Sequence, residues 1–438
     1  MIPLILLLAV AGFMQAARTF TGDTSIAGTE LAFGYLLLTA YFTGKIFNRF
    51  GLPKLTGYLF SGVISGPFVL GLVTKDMGHS LDVVKDTATA IIALEAGSEL
   101  HLAHLKPVMK TLRAVTIFAV IGAMFTISGA LFLMRPLLPA IFGNYDTTQS
   151  LAICAAIGVA LSAQSPAVVM ALLAEMRAAG PLSNVVLASV VVADLTVIVF
   201  SSIALAITGA VIGGSIDVTE TALHVGWELI GSMVFGLLMG MVLGQYLKTV
   251  KRGATLFGLM ICVVVAEIGA RVSLDPLIVL LTSGIWLRNF SRADANDLFR
   301  SFESAQLPVF LVFFALAGAK IDIYLLWGSI IPVVIVAAVR ASSFYMGAKI
   351  ATKLTGAEDV VRKYAWFGLV PQAGLALALA IVLKTTFQST FGDAAAVLLF
   401  GVVGFNEALA PPILRRILIK TGEAGKKAGV DFASGGGH

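Results

Sequence analysis

The stretch at residues 184–207 is apolar almost throughout, yet it contains one carboxylate, Asp194. A helix rises about 1.5 Å per residue, so the stretch is long enough to span a bilayer, and Asp194 would lie about 16 Å from the polar start of the stretch at Ser183. That depth is close to the middle of an apolar layer about 30 Å thick. A charged side chain there costs about 3 kcal/mol even on a lenient insertion scale. We therefore expect Asp194 to be functional.

The rest of the chain has the composition of a polytopic membrane protein. Of its 438 residues, 58% are hydrophobic and 13% are charged, whereas about 25% are charged in a typical soluble domain. Fourteen apolar segments cover residues 1–17, 28–47, 53–73, 84–101, 107–134, 149–175, 184–213, 222–247, 253–270, 275–288, 304–320, 325–350, 363–385 and 392–419. The first lacks the charged start and small-residue cleavage site of a signal sequence, so we expect it to be retained as a membrane helix.

The charges between the segments predict the topology. With the N-terminus in the cytoplasm, most of the 30 Lys and Arg residues fall in cytoplasmic loops, as the positive-inside rule requires. We therefore expect both termini to be cytoplasmic, in a protein of the bacterial inner membrane. The net charge of +5 then belongs to these loops and does not indicate nucleic-acid binding.

Several short sequences occur twice. AGSELHL at 96–102 is similar to AGAKIDI at 317–323, and AQSPAVVMALL at 163–173 is similar to PQAGLALALAI at 371–381. Ser61-Gly62 similarly has a counterpart in Ser283-Gly284. Each match joins one segment to the segment seven places later, and because seven is odd the two copies would have opposite orientations. The pattern predicts an all-α fold of about fourteen transmembrane helices with two inverted six-helix repeats, which is typical of secondary transporters.

Prolines near the middle of two matched segments indicate broken helices. Pro166 and Pro371 each remove one backbone hydrogen bond. Unpaired backbone groups at that depth are tolerated where they line a cavity or find partners. If the breaks cross, the half-helix ends would meet and Asp194 would face them; otherwise the prolines and glycines serve only packing. Neutral oxygens would come from Gln164, Ser165 and Gln372.

These segments, with GLPKLTGYLF at 51–60 and FNEALAPPILRRILIKTGE at 405–423, resemble the monovalent cation:proton antiporter superfamily, which includes the sodium/proton exchangers. The resemblance implies a crossed-helix fold, elevator-type alternating access and a homodimer. It also implies that Asp194 is the transport acid. Desolvation favours its protonated form, so a proton and a cation would compete for one carboxylate.

The resemblance also implies a division of the chain. Its parts are an N-terminal helix with scaffold helices 1–4 at 1–104, core helices 5–7 at 105–213, linker helix 8 at 214–248, scaffold helices 9–11 at 249–324, core helices 12–14 at 325–419 and a cytoplasmic tail at 420–438.

One departure from the family affects the stoichiometry. Family members usually carry Asp-Asp or Asn-Asp at the transport acid, whereas this chain has Ala193-Asp194. An alanine side chain neither titrates nor accepts a hydrogen bond. One carboxylate that exchanges one proton for one monovalent cation would be electroneutral.

Further charged residues lie in or beside the apolar segments. Glu95 is either a second ion ligand, a partner for a buried base, or an acid at the membrane edge. Arg340 would compensate charge in the core or pair with Asp194 or Glu95 in the ion-free state; the alternative is a permanent structural ion pair. Lys320 and Glu407 are expected to have supporting roles or purely structural ones.

The sequence therefore predicts a sodium/proton antiporter with Asp194 as the site of the transported Na⁺. Its partners would be Na⁺ or K⁺, protons and the lipid bilayer. No resident cofactor is expected. The sequence has no phosphate-binding loop and no set of nucleophile and base, so an enzyme is not predicted. A potassium/proton antiporter, a sodium-coupled symporter for an organic anion and a gated cation channel remain alternatives.

Overall fold

The structure is a computed structural model of a helical protein. It describes residues 12, 26–99, 108–212, 223, 226–249, 254–291, 296–321, 324, 330–372, 374–387 and 390–426. These residues form helices and connecting turns, with no β-strand among them. The first predicted segment, apart from residue 12, and the tail beyond residue 426 lie outside the described residues.

The helices are numbered in chain order. They are α1 (Ile26–Arg49), α2 (Lys54–Ser65), α3 (Lys75–Ser80), α4 (Asp82–Glu99), α5 (Met109–Leu133), α6 (Thr147–Ser162), α7 (Pro166–Glu175), α8 (Pro181–Ile212), α9 (Ser232–Thr249), α10 (Ala254–Val272), α11 (Pro276–Asn289), α12 (Asn296–Ala319), α13 (Ile330–Thr355), α14 (Asp359–Gly368), α15 (Gly374–Thr386) and α16 (Gly392–Lys420). Shorter helical turns lie at Arg135–Leu137, Pro139–Phe142 and Trp227–Gly231.

Several described helices are long and apolar enough to cross a membrane. By length and composition there are five such spans, at Met109–Leu133, Thr147–Glu175, Pro181–Ile212, Ile330–Thr355 and Gly392–Lys420. The second of these spans combines α6 and α7. Shorter apolar helices occupy Leu256–Gly269, Pro308–Ala319 and Gly374–Lys384. The helical, apolar character predicted from the sequence is therefore confirmed.

Two helix boundaries differ from the predicted segments. Helix α12 begins at Asn296, before the apolar run at 304–320, because a helix can continue into polar sequence that hydropathy does not detect. Helix α2 ends at Ser65, well before residue 73, and Gly66 donates its backbone N–H to the Gly62 carbonyl there. Pro67 follows Gly66, and proline is common just after a helix C-terminus because it cannot continue the helix.

The described helices pack into two groups. In group one, α1 packs against α2, α2 against α12, and α11 against both α4 and α9. In group two, α5 packs against α13, α6 and α7 against α8, and α15 and α13 against α16. The groups touch where α7 meets α4 and where α16 meets α2.

Two pairs of glycines bring the helices of group one into close contact. A Cβ on Gly97 of α4 or on Gly284 of α11 would overlap a carbonyl oxygen of the other helix. The same holds for Gly62 of α2 and Gly318 of α12. Because any larger side chain would force the backbones apart, glycine is required at these two crossings.

Candidate ion-binding site

Both helices that carry the predicted prolines are interrupted. Residues 163–165 separate α6 from α7, and α14 ends at Gly368, before α15 begins at Gly374. Ser165 caps the second half-helix, since its hydroxyl accepts a hydrogen bond from the Val168 N–H at 3.2 Å. Each break leaves carbonyl groups of the first half and N–H groups of the second half without helical partners.

The side chain of Arg340, on α13, joins the two breaks. It is fully buried. Its Nε donates to the Leu161 carbonyl at 2.7 Å, and its Nη1 donates to the Val370 carbonyl at 2.6 Å. Its Nη2 donates to the carbonyls of Ala163, at 2.7 Å, and Leu369, at 3.4 Å. One guanidinium therefore donates to carbonyls at the C-terminal ends of α6 and α14, the half-helices that precede the two breaks. The helix dipoles are negative at these ends.

This arrangement differs from the expected pairing of Arg340 with Asp194 or Glu95. None of the ion pairs found within the described ranges involves Arg340. The breaks leave buried carbonyls that need hydrogen-bond donors, and the planar guanidinium has enough donors to bind several of them at once. Arg340 also lies over the Phe344 ring, 4.7 Å from its centre. It does compensate charge, but the partners are backbone dipoles.

A cavity of about 410 Å³ lies on the other side of the breaks, between the two groups of helices. It reaches from the buried Asp194 to the exposed Lys320. Its walls are mainly apolar. Among the described residues, the polar and charged ones that line it are Gln164, Ser165, Asp194, Asp275 and Lys320.

Asp194 and Gln164 each present an oxygen without a partner. Asp194 is 5% exposed and Gln164 is fully buried. Neither Asp194 Oδ1 nor Gln164 Oε1 has a hydrogen-bond partner in the described part of the chain. The Gln164 amide nitrogen donates to the Ser162 carbonyl at 2.6 Å, which fixes the side chain. Buried polar oxygens of this kind need a partner, and a bound cation would supply one.

Helix ends also shape the electrostatics of this cavity. Pro166 at the N-terminus of α7 and Gly374 at the N-terminus of α15 both line it. The N-terminal ends of helices carry partial positive charge. The Asp194 carboxylate therefore shares a cavity with the positive ends of two half-helices, while Arg340 binds carbonyls at the negative ends of the other two.

Gln372 lies at the second break and Glu407 on α16, and neither is among the residues that line the cavity. The Gln372 amide nitrogen donates to the Leu161 carbonyl at 3.2 Å, and its oxygen accepts from Asn406 at 3.0 Å. The next residue, Glu407, is 3% exposed, and neither carboxyl oxygen has a partner in the described chain. The predicted role of Gln372 as an ion ligand thus competes with two hydrogen bonds already made.

Glu95 is buried in α4, close to the cavity. It is 4% exposed, and Ile92 and Ala93 of the same helix line the cavity whereas Glu95 does not. Lys320 is exposed at the end of α12 and lines the cavity together with Asp194. The structure thus brings Gln164, Ser165 and Lys320 to the same cavity as Asp194. Glu95 is not among the residues that line this cavity.

The sequence analysis did not single out Asp275. This residue precedes Pro276 and caps α11, where its Oδ1 accepts from the N–H groups of Leu277, at 2.7 Å, and Ile278, at 3.3 Å. It lines the cavity, close enough to Asp194 for their charges to interact. A signal was present, since an Asp-Pro pair before an apolar segment is typical of a helix start.

The helix that carries Asp194 is held at its start by Glu423. The Glu423 carboxylate accepts hydrogen bonds from the N–H groups of Leu182 and Ser183, both at 2.8 Å, and from the Ser183 hydroxyl at 2.6 Å. Glu423 is 2% exposed. Three bonds at a helix N-terminus, where negative charge is favoured, fix α8 to the segment that follows α16.

Away from this cavity, the two groups of helices are joined by polar contacts. Glu175, the last residue of α7, accepts a hydrogen bond from the Lys54 N–H at 2.9 Å. Lys54 is the first residue of α2, and its N-cap Pro53 has no side-chain acceptor to offer. Arg415 of α16 donates to the Gly51 carbonyl. These bonds are what a relative movement of the groups would have to break.

The comparisons with known proteins identify the family. Residues 35–420 match the family described as sodium/hydrogen exchanger, transmembrane. The chain belongs to this family. Its members exchange monovalent cations for protons, and together with the apolar helices this makes the chain an integral membrane protein of a transporter family. The comparison with curated protein sequences gives no significant match.

Two solved structures of the sodium proton antiporter MjNhaP1 from Methanocaldococcus jannaschii have a similar fold. One, determined at pH 8, has a TM-score of 0.65 and 16% sequence identity, over 90% of this chain and 99% of that chain. The other, from electron microscopy, has a TM-score of 0.72 and 16% identity, over 91% of this chain and 98% of that chain. At this identity the similarity establishes the fold.

Proposed function

We propose that the protein is a sodium/proton antiporter in which Asp194 binds Na⁺ and H⁺ alternately. The observation that carries the proposal is the buried Asp194 carboxylate, which faces a cavity that reaches the surface and has an oxygen without a partner. Gln164 Oε1 supplies a neutral oxygen beside the carboxylate, and oxygen ligands suit a hard cation. Protonation and cation binding both neutralise the same charge, so they exclude each other.

The exchange is electroneutral in this proposal. Ala193, which is fully buried beside Asp194, brings no second acid into the core. If one carboxylate carries one proton in one direction and one Na⁺ in the other, no net charge crosses the membrane in a cycle.

The transport step is an elevator movement of group two against group one, with inverted repeats as its basis. The glycine contacts support this relation. Gly97 and Gly318 occupy equivalent places in the repeated sequences, as do Gly62 and Gly284. Gly97 packs against Gly284, and Gly62 packs against α12 at Ala315 and Ala319, on either side of Gly318. Each contact is the counterpart of the other under exchange of the two repeats, as a two-fold axis requires.

The predicted topology indicates the side of the membrane to which the cavity opens. It places Asp275 and Lys320 next to the outer face and Glu175 and Arg415 next to the cytoplasm. The cavity would then open outward while the contacts of Glu175 and Arg415 close the inner side. The homodimer, the division into scaffold and core, the cytoplasmic termini, and the ion-binding roles of Glu95 and Gln372 stay predictions.

A potassium/proton antiporter is the second candidate. Its support is the neutral pair Gln164 and Ser165 at the first break, where the family often carries an acid. A site with one carboxylate and neutral oxygens has a weaker field, which favours a larger cation that is easier to dehydrate. The sodium-coupled symporter for an organic anion needs a basic group deep in the cavity, and Arg340, the deepest base among the described residues, is bonded to backbone carbonyls.

The test is exchange by the purified protein in liposomes that contain a pH-sensitive dye. We expect addition of Na⁺ to drive proton movement at a rate that an imposed membrane voltage does not change. A response to K⁺ and none to Na⁺ would support the second candidate. Voltage-dependent rates would contradict electroneutrality, and cation flux without proton movement would contradict antiport altogether.

The elevator step predicts that joining the two groups at the Glu175 contact will slow transport severalfold. Lys54→Cys and Glu175→Cys, combined in one chain, would be linked with a short cleavable reagent that reacts with thiols. The native Cys154 and Cys262 are both buried, so they compete little for the reagent. Exchange is measured before linking, after linking and after cleavage.

The two single variants, treated with the same reagent, control for modification without linkage. Cleavage should restore the rate in the double variant. Full exchange by protein that is shown to be linked would mean that α2 and α7 need not separate, and it would rule out an elevator movement across this contact.

A further inference from the structure

Asp275 faces Asp194 from the opposite group of helices. It belongs to α11 in group one, whereas Asp194 belongs to α8 in group two, and both line the same cavity. Its backbone N–H donates to the buried Ser232 hydroxyl of α9 at 2.8 Å, so both α9 and α11 hold it in place. The carboxylate is therefore a fixed feature of the wall.

The hydrogen bonds of Asp275 leave half of its carboxylate available. Both bonds from the start of α11 go to Oδ1. No described residue donates to Oδ2, and the residue is partly exposed where it lines the cavity. Across the cavity, the buried oxygens of Asp194 and Gln164 also lack partners. Two carboxylates that face one low-dielectric space attract cations more strongly than one does.

We propose that Asp275 is a second cation-binding carboxylate, which captures the monovalent cation in the open cavity and passes it to Asp194. The inference rests on the proposed exchange at Asp194. Asp275 would not travel with the cation, because it lies on the group that packs around α4 and α11. It would raise the affinity for the cation on this side of the membrane without changing the number of charges moved in a cycle.

The expected effect of Asp275→Asn is on affinity. Asparagine is as good a helix cap as aspartate, so α11 keeps its N-terminal bonds while the charge is lost. We expect the cation concentration for half-maximal exchange to rise about three- to tenfold, with the rate at saturating cation retained. Asp275→Glu, which keeps the charge and weakens the cap, is expected to stay close to the wild type.

A matched control is Asp146→Asn. Asp146 also caps a helix, accepting from the Gln149 N–H at 2.8 Å, but it is exposed and does not line the cavity. It is expected to leave exchange unchanged. The effect of Asp275→Asn should also shrink as choline chloride is added on both sides, because salt screens an attraction between charges. A purely structural defect would not depend on ionic strength in this way.

The measurement uses whichever of Na⁺ and K⁺ the wild-type protein exchanges in liposomes. Unchanged half-saturation in Asp275→Asn, or a rise that added salt does not reduce, would overturn the inference and leave exchange at Asp194 intact. A defect in Asp275→Glu without one in Asp275→Asn would assign Asp275 to capping alone and would also overturn it. A wild-type protein that moves protons with neither cation would instead refute the proposed function, and this inference with it.

Discussion

Cation-driven proton movement is expected to disappear in the Asp194→Asn variant. Asparagine has nearly the same shape as aspartate, but it can neither release a proton nor neutralise a cation in the apolar core. Without the carboxylate, a bound Na⁺ would carry an uncompensated charge through the low-dielectric core, which is strongly unfavourable. With Na⁺, Li⁺ or K⁺, and at any voltage, we expect the fluorescence of the pH-sensitive dye to change no more than it does in protein-free liposomes.

The comparison for this variant is Asp393→Asn. Asp393 is an exposed acid on α16 whose carboxylate lies 3.7 Å from the Lys384 ammonium. The Asp393→Asn variant should exchange cations for protons at the wild-type rate. Melting curves in detergent will show that Asp194→Asn folds; removing an unpaired buried charge should leave the melting temperature unchanged or raise it. Exchange by a folded Asp194→Asn protein would move the transport role to another acid, such as Glu95 or Asp275.

Much of this site could be predicted from the sequence, because several of its features depend on residues within one segment. A proline removes one backbone hydrogen bond of a helix, and the prolines at matching places in two repeated segments predicted breaks at Pro166 and Pro371, which the structure confirms. Pro308, Pro411 and Pro412 lie inside continuous helices, so a proline alone does not decide where a helix breaks. Asp194 stood out because a carboxylate in an apolar stretch of that length is rare. The sequence also predicted that Gln164 and Ser165 would lie at the first break, and the structure places both at the cavity.

The relations between distant segments were harder to predict. The sequence places Arg340 in an apolar helix, but only the fold shows which carbonyls meet around it, namely those of Leu161, Ala163, Leu369 and Val370. A prediction based on charge therefore named Asp194 and Glu95 as its partners. Asp275, the first residue of an apolar segment, was not predicted as a site residue, because its position opposite Asp194 depends on how the two groups of helices pack.

We expect the Arg340→Lys substitution to reduce strongly the amount of protein that folds. The arginine spans four carbonyls with three nitrogens. A lysine ammonium is a compact group with three donors at one point, so it cannot reach both breaks. Carbonyls left buried without a donor cost about 1–3 kcal/mol each, enough together to remove a large part of the stability of an ordinary domain. We expect a sharply lower yield of monodisperse protein and a melting temperature lower by several degrees or more.

Arg362→Lys makes the same chemical change at an exposed ion pair. Arg362 Nη2 lies 2.6 Å from Asp359 Oδ1 on the surface of α14, and such pairs contribute about 0–1 kcal/mol. Its yield and melting temperature should match the wild type. The Arg340 variant also separates the two roles considered for this residue. If Arg340 served to pair with Asp194 or Glu95, lysine would keep the positive charge, and folding and exchange would survive. If Arg340 instead holds the two breaks together through their carbonyls, keeping the charge is not enough.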